Sequence, residues 1–419
     1  MADAAQHRPS LAGAPWLTPA RTQAVFAALG AKGHGVRAVG GAVRNGLLGL
    51  DVAEVDLATT ATPEEVVDLA AAAGLKAVPT GIEHGTVTVV SEGQPYEVTT
   101  LRRDVETYGR KAKVAFTDDW TADAARRDFT MNALYADADG TVHDPLGGLA
   151  DLRAGRVRFI GEARERIRED YLRILRFFRF NARFGEPPFD AAGLSACVRE
   201  RAGLAGLSGE RVRMELLKLL AAKGAVAVLE AMFGHGLLVD VLGGVPLLPR
   251  LSRLTAIEAG LGLDPDPMRR LSALAVLVPE DAERLGSRLK LSNREQAALE
   301  AAAGWRAFDP RPAGTQAKVS LYRLGGDRYS RAVLQAWAQS GAAADDAGWR
   351  LLAELPGRWT APEFPLRGAD LVELGLEKGP RVGLLMKELE EAWIDSGMGG
   401  TREDMLGQAR AALGKGSRT

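Results

Sequence analysis

Two acidic residues downstream of a glycine pair are the first feature of this sequence that could do chemistry. Gly40 and Gly41 end the β-rich run VRAVGG, and Glu54 and Asp56 follow in VAEVDLAT, which alternates like a strand. Residues two apart on a strand face the same side, so both carboxylates are expected to project into one cleft. Proteins hold Mg²⁺ by a few carboxylates together with substrate phosphates. An isolated acidic pair is more often two solvated charges, but the glycine turn beside it favours metal binding.

The glycine pair lies where a predicted strand gives way to a helix. Backbone N–H groups and the helix dipole favour anions at such a point, so Gly40 and Gly41 are expected to bind a triphosphate, with Arg44 adding a guanidinium. Two metal ions need a third acid, and Glu97 on a later predicted strand is the candidate. The predicted catalytic and metal-binding set is therefore Glu54, Asp56 and Glu97.

The elements around these residues predict a small mixed α/β unit. Helical periodicity covers 18–33, a capped helix opens at 62–65, and strands are expected at 86–90 and 96–100. The segment 102–123 is charged and aperiodic, which predicts a loop. From Glu162 onward almost every segment has helical periodicity, so the fold class is α+β: a mixed N-terminal unit followed by an all-α remainder.

Several polar residues downstream could hold a nucleotide. In RRDFTMN, Arg126, Arg127 and Asp128 are expected to open a helix and, with Asn132, to bind triphosphate or ribose. Between Arg153 and Arg183 there are ten arginines against four acids, an excess that suits phosphate binding, and Arg176 and Arg179 join the nucleotide-binding prediction on this basis. The alternative for such a run is a helix face of ion pairs.

Asp170 and Arg173, three residues apart in a predicted helix, place an acceptor beside a donor. Cytosine and adenine present an exocyclic amine next to an unprotonated ring nitrogen, whereas uracil and guanine present a carbonyl next to a ring N–H. A carboxylate and a guanidinium thus suit C and A and leave unpaired groups with U or G. The alternative is an ordinary intrahelical ion pair.

Composition excludes several classes of protein. The chain has 419 residues, 46% hydrophobic and 26% charged, with no apolar run of membrane-spanning length. One cysteine, Cys197, excludes an internal disulfide, and the N-terminus does not resemble a secretory signal. A cytoplasmic protein that does not bind membranes is predicted, and the oligomeric state stays open.

The segment GGAVRNGLLGLDVAEVDLATTATPEEV resembles the first motif of bacterial CCA-adding tRNA nucleotidyltransferases and bacterial poly(A) polymerases, members of the DNA polymerase beta superfamily. The likeness continues in order through residues 36–220, in IEHGTVTVV, YEVTTLR, RRDFTMNAL, DPLGGLADL, EDYLRILRFFRF and SGERVRMELLKLL. It implies Mg²⁺-dependent addition of CCA to the 3′ end of tRNA from CTP and ATP. It also implies that Asp170 and Arg173 select the base.

The resemblance and the weak breaks in the sequence together predict four domains. These are a catalytic head at 1–145, a helical neck carrying the nucleotide-selecting helix at 146–205, a helical body at 206–310 and a tRNA-binding tail at 311–419. An elongated all-α neck, body and tail is expected to follow the head.

Two departures and several rivals accompany this interpretation. The family's first metal ligand is usually aspartate, whereas this chain has Glu54, and Tyr108-Gly109-Arg110 stands where an Asp-Gly-Arg pattern is common. A bacterial poly(A) polymerase is the closest rival, although the stretch 81–87 is of the CCA-adding type. An enzyme that adds only CC or only A is a further rival, and a non-catalytic RNA-binding protein is a rival of a different class.

Overall fold

A computed structural model describes residues 9–82, 85–108 and 111–416 of the chain. It divides into two compact units, one comprising residues up to Pro246 with Arg288–Lys290, and the other comprising Leu247–Ser287 with Leu291 onward. The division at 246 falls inside the segment predicted as the body, and the boundaries of the four predicted domains stay a prediction. None of the described helices is both long and apolar enough to cross a membrane.

The first unit contains the predicted mixed sheet. Its strands are β1 (Val36–Val39), β2 (Asp56–Thr59), β3 (Lys76–Gly81), β4 (Thr86–Ser91), β5 (Gln94–Thr100), β8 (Tyr135–Ala136) and β9 (Val142–His143). They lie in the order β3-β4-β5-β2-β1-β8-β9, and the β2–β5 pair is parallel while the other neighbours are antiparallel.

Helices of the first unit cover this sheet and extend beyond it. They are α1 (Ala20–Gly30), α2 (Gly41–Leu47), α3 (Pro63–Ala72), α4 (Trp120–Ala125), α5 (Gly148–Arg153), α6 (Ala163–Glu169), α7 (Leu172–Phe184), α8 (Ala191–Arg199), α9 (Gly209–Leu220), α10 (Ala225–Gly234) and α11 (Leu238–Leu242). Helix α3 begins at the predicted cap: Thr62 and Glu65 form a capping box, and Pro63 occupies the first turn.

The predicted loop at 102–123 is wrong over most of its length. Strands β6 (Arg102–Tyr108) and β7 (Lys111–Phe116) form a separate two-stranded antiparallel ribbon. The charged sequence of this segment lacks the clear apolar alternation by which a strand is usually predicted. Glu83, His84, Gly109 and Arg110, which carry parts of the family comparison, lie outside the described residues.

An aromatic cluster joins the sheet-containing region to α7. Phe129 is fully buried, as predicted for Phe129 and Met131. Its ring centroid lies 4.8 Å from that of Phe159 and 5.1 Å from that of Phe180. Such pairs combine large apolar burial with favourable ring geometry. Helix α7 also packs along α9 and α10, so it connects the head to the helices that follow.

In its described residues, the second unit consists of helices and the segments that connect them. Its helices are α12 (Leu248–Leu261), α13 (Pro267–Ala275), α14 (Pro279–Leu289, whose end is counted with the first unit), α15 (Asn293–Ala303), α16 (Thr315–Leu324), α17 (Gly326–Ser340), α18 (Ala347–Ala353), α19 (Leu355–Arg358), α20 (Gly368–Glu373), α21 (Pro380–Asp395) and α22 (Arg402–Gly416). Helix α17 packs on α12, α15, α16 and α18, and its Trp337 is fully buried. A second cluster forms around Trp393, Leu389 and Met405.

Gly148 provides a test of how closely the head is packed. A Cβ at this position would lie 2.1 Å from the carbonyl oxygen of Thr130, which is backbone and cannot move aside cheaply. We expect Gly148→Ala to destabilise the first unit by about 1–3 kcal/mol, as overpacking does. Thermal unfolding should therefore show a melting temperature lower by roughly 2–4 °C per kcal/mol.

Gly234→Ala is the matched control, because a Cβ at Gly234 would meet no atom within 4 Å. Its melting temperature should stay unchanged or rise slightly, since alanine is the better helix former. Equal melting temperatures for the two variants would contradict the close approach.

Candidate active site

A polar cleft with a volume of about 430 Å³ opens in the first unit. One wall belongs to Asp56 of the sheet, to the turn and helix that follow β1 and to the segment 127–132, and the other to Asp170, α7 and α9. Its lining residues are Gly40, Gly41, Arg44, Asp56, Arg127, Asp128, Asn132, Asp170, Leu172, Arg173, Arg176, Phe180 and Arg211. Most of the predicted site residues therefore meet in one place, although the sequence separates them by more than 130 positions.

Asp56 and Glu97 are brought together by strand pairing. Asp56 opens β2, and Glu97 is its partner in the parallel register with β5. Paired residues on neighbouring strands point to the same face of a sheet. The register therefore places both carboxyls on one face, which the alternation of β5 alone does not establish.

Glu54 does not lie on a strand, so the strand-parity argument for it is wrong. The irregular segment after α2 reaches as far as Val55, and β2 begins only at Asp56. Glu54 is exposed just before the strand. Its position relative to Asp56 is set by the path of this segment.

The three acids interact electrostatically. Although Asp56 keeps contact with solvent, the surrounding protein partly desolvates its carboxyl, and this is the largest cause of its raised pKa. The negative charges of Glu97 and Glu54 also raise the pKa and Arg127 lowers it, which together give a value of about 6. Asp56 is therefore a carboxylate whose charge the protein alone does not fully compensate.

The acids do not form a compact set of metal ligands. Within residues 9–82, 85–108 and 111–416, no group of three or more His, Cys, Asp or Glu side chains is close enough to hold a metal ion. The metal-binding roles of Glu54, Asp56 and Glu97 therefore stay a prediction, based on the donor chemistry and on the repulsion felt by Asp56.

The glycine turn follows β1 as predicted, but one of its N–H groups is occupied. Gly40 adopts φ 68° and ψ −117°, a conformation that favours glycine, and it precedes α2. Its N–H donates to the carbonyl oxygen of Leu134 at 3.1 Å, so it does not point freely at the cleft. The N–H groups available to an anion must come from the first turn of α2, which begins at Gly41.

Arg44 is buried rather than extended into the cleft. Its Nη1 donates to Asn132 Oδ1 at 2.5 Å, and its Nε and Nη2 donate to Asn45 Oδ1. Its guanidinium lies 4.2 Å from the ring centroid of Phe184. Burial, reinforced by the nearby arginines 179 and 183, lowers the pKa of Arg44 to about 10. Arg44 thus supports Asn132 and forms part of the cleft wall.

Asp128 is the centre of a buried polar network. It accepts from Asn132 Nδ2 at 2.9 Å and from the backbone N–H of Phe129 at 2.8 Å. Its other oxygen accepts from the Arg176 guanidinium, with the Nε at 2.8 Å. Burial raises the pKa of Asp128, but Arg176 and these hydrogen bonds outweigh it and hold that pKa below its usual value. Asp128 therefore links the head to α7 as an ionised carboxylate.

Arg126, Arg127 and Asp128 do not open a helix as predicted. Helix α4 ends at Ala125, and a short 3₁₀ helix covers Thr130–Asn132. Asp123, fully buried in α4, accepts from Arg126, from Arg127 and from the hydroxyl of Tyr135. The spacing of three and four residues from Asp123 to the two arginines is typical of ion pairs on one helix face, and it could have predicted these contacts from the sequence. Arg127 lines the cleft and Arg126 does not.

The segment from Arg168 to Arg173 is not the continuous helix that its spacing predicts. Helix α6 ends at Glu169, and Asp170 is extended, with φ −154° and ψ 105°. Its carboxylate accepts from the N–H of Leu172, the first residue of α7, at 3.2 Å. Asp170 and Arg173 both line the cleft, but they pair with other residues.

Arg211, which sequence reasoning missed, holds Asp170. Its Nη1 and Nη2 donate to the two carboxylate oxygens of Asp170 at 3.1 and 2.6 Å. Arg173 instead donates from Nη1 to Glu169 and to the carbonyl oxygen of Arg166. Arg211 stands in the motif SGERVRMELLKLL, but local spacing cannot show a contact made across 41 positions.

The arginine-rich run is mostly paired within the protein. Arg179 is buried, donates to Glu215 and does not line the cleft, and Arg176 lies 3.6 Å from the same carboxylate. Further pairs in this run involve Asp151, Glu169 and Glu200. Most arginines between 153 and 183 are therefore in ion pairs, as the alternative interpretation predicts. Arg173 and Arg176 are the arginines of this run that line the cleft.

The chain matches known proteins over most of its length. Residues 36–158 match the family model described as the poly A polymerase head domain, and residues 192–248 match one described as a probable RNA and SrmB-binding site of polymerase A. The mitochondrial CCA tRNA nucleotidyltransferase 1 of Mus musculus is 34% identical over 397 residues, covering 89% of this chain and 86% of that protein. The CCA-adding enzyme of Geobacillus stearothermophilus is 42% identical over 213 residues, covering 49% of this chain and 51% of that protein.

Solved structures of similar fold match the chain over nearly its whole length. The Bacillus stearothermophilus CCA-adding enzyme in complex with CTP superposes with a TM-score of 0.74 at 27% identity, covering 95% of this chain and 98% of that one. The Thermotoga maritima CCA-adding enzyme complexed with tRNA has the same fold, with a TM-score of 0.66 at 20% identity and coverage of 93% and 94%. The α+β fold predicted from the sequence is confirmed.

The raised pKa of Asp56 predicts a pH-dependent stability. Its folded-state pKa of about 6 exceeds the ordinary value of 3.8, so the folded protein binds the proton more tightly than the unfolded chain. This group therefore lowers stability as pH rises from about 4 to 6, and the penalty remains at higher pH. We expect Asp56→Asn to raise the melting temperature at about pH 8, with a smaller gain at about pH 5.

Asp139→Asn is the control of opposite sign. Asp139 accepts from the N–H of Thr141 at 2.8 Å, and this bond lowers its pKa. Its neutralisation should lower the melting temperature at about pH 8. A lower melting temperature for Asp56→Asn at that pH would show that the Asp56 carboxylate is compensated after all.

Proposed function

The chain belongs to the family of CCA-adding tRNA nucleotidyltransferases, and we propose on this basis that it adds C, C and A to the 3′ end of tRNA from CTP and ATP, without a nucleic-acid template. The observation that carries the proposal is the arrangement of the cleft. Asp56 lines one wall and shares its face of the sheet with Glu97, which is not itself a lining residue, and Asp170 and Arg173 line the other wall. Acids for the reacting phosphate and a polar pair for the base thus belong to one site.

The reaction is a phosphoryl transfer. The 3′-hydroxyl oxygen of the tRNA attacks the α-phosphorus of the nucleotide, the bond from that phosphorus to the β-phosphate oxygen breaks, and pyrophosphate leaves. The hydroxyl proton passes to a base or to solvent. No covalent intermediate with the protein is needed, because alignment of the two substrates and charge stabilisation supply the catalysis.

Glu54, Asp56 and Glu97 would hold Mg²⁺. They offer only carboxylate oxygens, which are the ligands that this ion prefers. The like charges that raise the pKa of Asp56 make a cation favourable at this face of the sheet. The chemistry that a bound Mg²⁺ would supply is charge neutralisation at the phosphates and activation of the attacking hydroxyl. A glutamate at position 54 keeps the charge of the family's usual aspartate on a longer side chain.

We assign the nucleotide-binding roles around this acidic face. The first turn of α2 at Gly41 and the guanidinium of Arg127 face the triphosphate, and Arg126 supports Arg127 through their shared partner Asp123. Gly40, Arg44, Asn132, Asp128, Arg176 and Arg179 hold the wall of the cleft in shape. Asp170 accepts from the exocyclic amine of C or A, and Arg173 donates to the adjacent ring nitrogen.

Two further assignments belong to the proposal. The helical region after the head grips the tRNA, consistent with the RNA-binding family model over residues 192–248. We place the reaction in the cytoplasm, although the relatives from mouse, zebrafish and human are named mitochondrial.

An extension assay tests the function. Purified protein is incubated with Mg²⁺ and a tRNA that ends at the discriminator base, with CTP, ATP, UTP and GTP singly and mixed, and the 3′ ends are sequenced. We expect CTP alone to add two residues, CTP with ATP to add CCA, and UTP or GTP to add nothing. Asp56→Asn should lose incorporation but still bind tRNA, because it removes a metal ligand and not an RNA contact.

The same assay separates the rivals. A long A tail would identify a poly(A) polymerase, the name carried by the matching family models. Products that stop at CC, or growth only on tRNA already ending in CC, would identify a CC-only or A-only enzyme. Failure to extend any tRNA in the presence of Mg²⁺ would leave a non-catalytic RNA-binding protein.

Arg173→Ala tests base selection. Loss of the donor to the ring nitrogen removes the group that opposes the ring N–H of U and G. We expect the preference for CTP over UTP, measured as the ratio of kcat/KM values, to fall by about 5- to 150-fold, which corresponds to the ~1–3 kcal/mol cost of an unsatisfied buried group.

Arg168→Ala is the control, because Arg168 is exposed and pairs with Glu200 away from the cleft. Its preference for CTP should match the wild type. An unchanged preference in Arg173→Ala would remove Arg173 from the base-reading pair.

A further inference from the structure

The base-reading carboxylate is held by a cation that belongs to a different helix. Arg211, in the first turn of α9, engages both oxygens of Asp170, and the N–H of Leu172 donates to one of them. Each carboxylate oxygen can accept from more than one donor, so a base amine can still bind. What the two-pronged contact removes is the freedom of the carboxylate to rotate away from the cleft.

The position of Arg211 is itself fixed by contacts along α9. A Cβ at Gly209 would lie 2.2 Å from the carbonyl oxygen of Arg288, so the start of the helix sits close against backbone. One turn further on, Glu215 is buried and accepts from Arg179 of α7. Two ion pairs of opposite polarity, Arg211 with Asp170 and Glu215 with Arg179, therefore set α9 against the region of α7.

The charged groups that face Asp170 are cations. Arg211 approaches from α9, and Arg173 and Arg176 approach from α7. Glu169, the neighbouring acid, is itself paired with Arg166 and Arg173. Partial burial raises the pKa of Asp170, but the hydrogen bonds from Arg211 and Leu172 and the charges of Arg211 and Arg173 outweigh it, and the pKa lies below its usual value.

The charge state of Asp170 matters for the choice of base. An ionised carboxylate only accepts hydrogen bonds, so it pairs with the amine of C or A and repels the carbonyl oxygen of U or G. A protonated carboxyl carries an O–H, which would donate to that carbonyl. Rejection of U and G thus requires that Asp170 stay ionised after a nucleotide has displaced water from the cleft.

We propose that Arg211 is a specificity-determining positioning residue, which keeps Asp170 oriented and in its acceptor-only form so that U and G are rejected. The proposal rests on the proposed function of the cleft as a CTP- and ATP-selecting site. Arg211 lines the cleft and acts through Asp170, whose two carboxylate oxygens it holds.

The test compares nucleotide preference across pH. For the wild type, Arg211→Met, Arg211→Gln and Arg211→Lys, the kcat/KM values for UTP and CTP are measured on a tRNA lacking CCA between about pH 5.5 and 8.5, a range that spans the titration of a carboxyl whose pKa has risen. The UTP-to-CTP ratio cancels effects common to both nucleotides, including protonation of Asp56. It therefore reports how the base is read.

The wild-type ratio should be low and constant over this range. In Arg211→Met and Arg211→Gln it should rise by about tenfold or more, and rise further as pH falls, because Asp170 then takes up a proton. Arg173 still opposes the ring N–H of U, so discrimination is reduced and not abolished. Arg211→Lys keeps the charge without the fork and should restore a ratio that is constant with pH.

Arg213→Met controls for damage to α9, since Arg213 lies on the same helix and donates to the carbonyl oxygen of Lys290. Thermal unfolding checks each variant, and Arg211→Gln carries the test should Arg211→Met unfold. An unchanged ratio in both neutral variants, or a rise that does not vary with pH, overturns the proposal. Failure of the wild type to extend tRNA would instead overturn the proposed function.

Discussion

The ion pair between the buried Asp128 and the half-buried Arg176 is the interaction on which the cleft depends. Asp128 follows the last helix of the sheet-containing region and Arg176 belongs to α7, so the pair ties one wall of the cleft to the other. Asn132 and Arg44 extend the network on one side, and Glu215 and Arg179 extend it on the other. Loss of one member of such a pair leaves an uncompensated buried charge, at a cost of about 3–5 kcal/mol. The aromatic cluster around Phe129 reinforces the same junction with apolar contact.

Polar groups near the cleft fall into two classes with different tasks. One class is fully paired and keeps its geometry: Asp123 with two arginines and Tyr135, and Asp128 with Arg176 and Asn132. The other class is Asp56 with its two acidic neighbours, where the protein leaves repulsion uncompensated. The repulsion around Asp56 lowers the stability of the fold where a cation and a triphosphate are proposed to bind. The paired groups around Asp123 and Asp128 stabilise the walls of the same cleft. Active sites commonly show this distribution.

Local chemistry made part of this site readable from the sequence. The capped start of α3, the glycine turn before α2 and the strands β4 and β5 lie close to where propensity and patterning placed them. The failures also have local causes. The alternating pattern in VAEVDLAT predicts a strand that includes Glu54. This is wrong, because the pattern extends beyond the residues that pair with neighbouring strands. The spacing around Asp170 predicts an unbroken helix, because an Asp whose side chain accepts from the N–H two residues later has the same spacing to Arg173 as an Asp within a helix.

What the sequence alone determined was which chemical groups are available: three carboxylates, a glycine turn and an acid–arginine pair, in an order typical of one enzyme family. Residue type and local spacing suffice for this, since hydrogen-bonding capacity and charge belong to the side chain itself. Only the tertiary structure decided which groups meet. The parallel register put Glu97 beside Asp56, and the packing of α9 on α7 gave Asp170 to Arg211 instead of Arg173. Such contacts join residues tens of positions apart, and the geometry that brings them together is fixed by burial of the apolar faces between them, which no local pattern encodes.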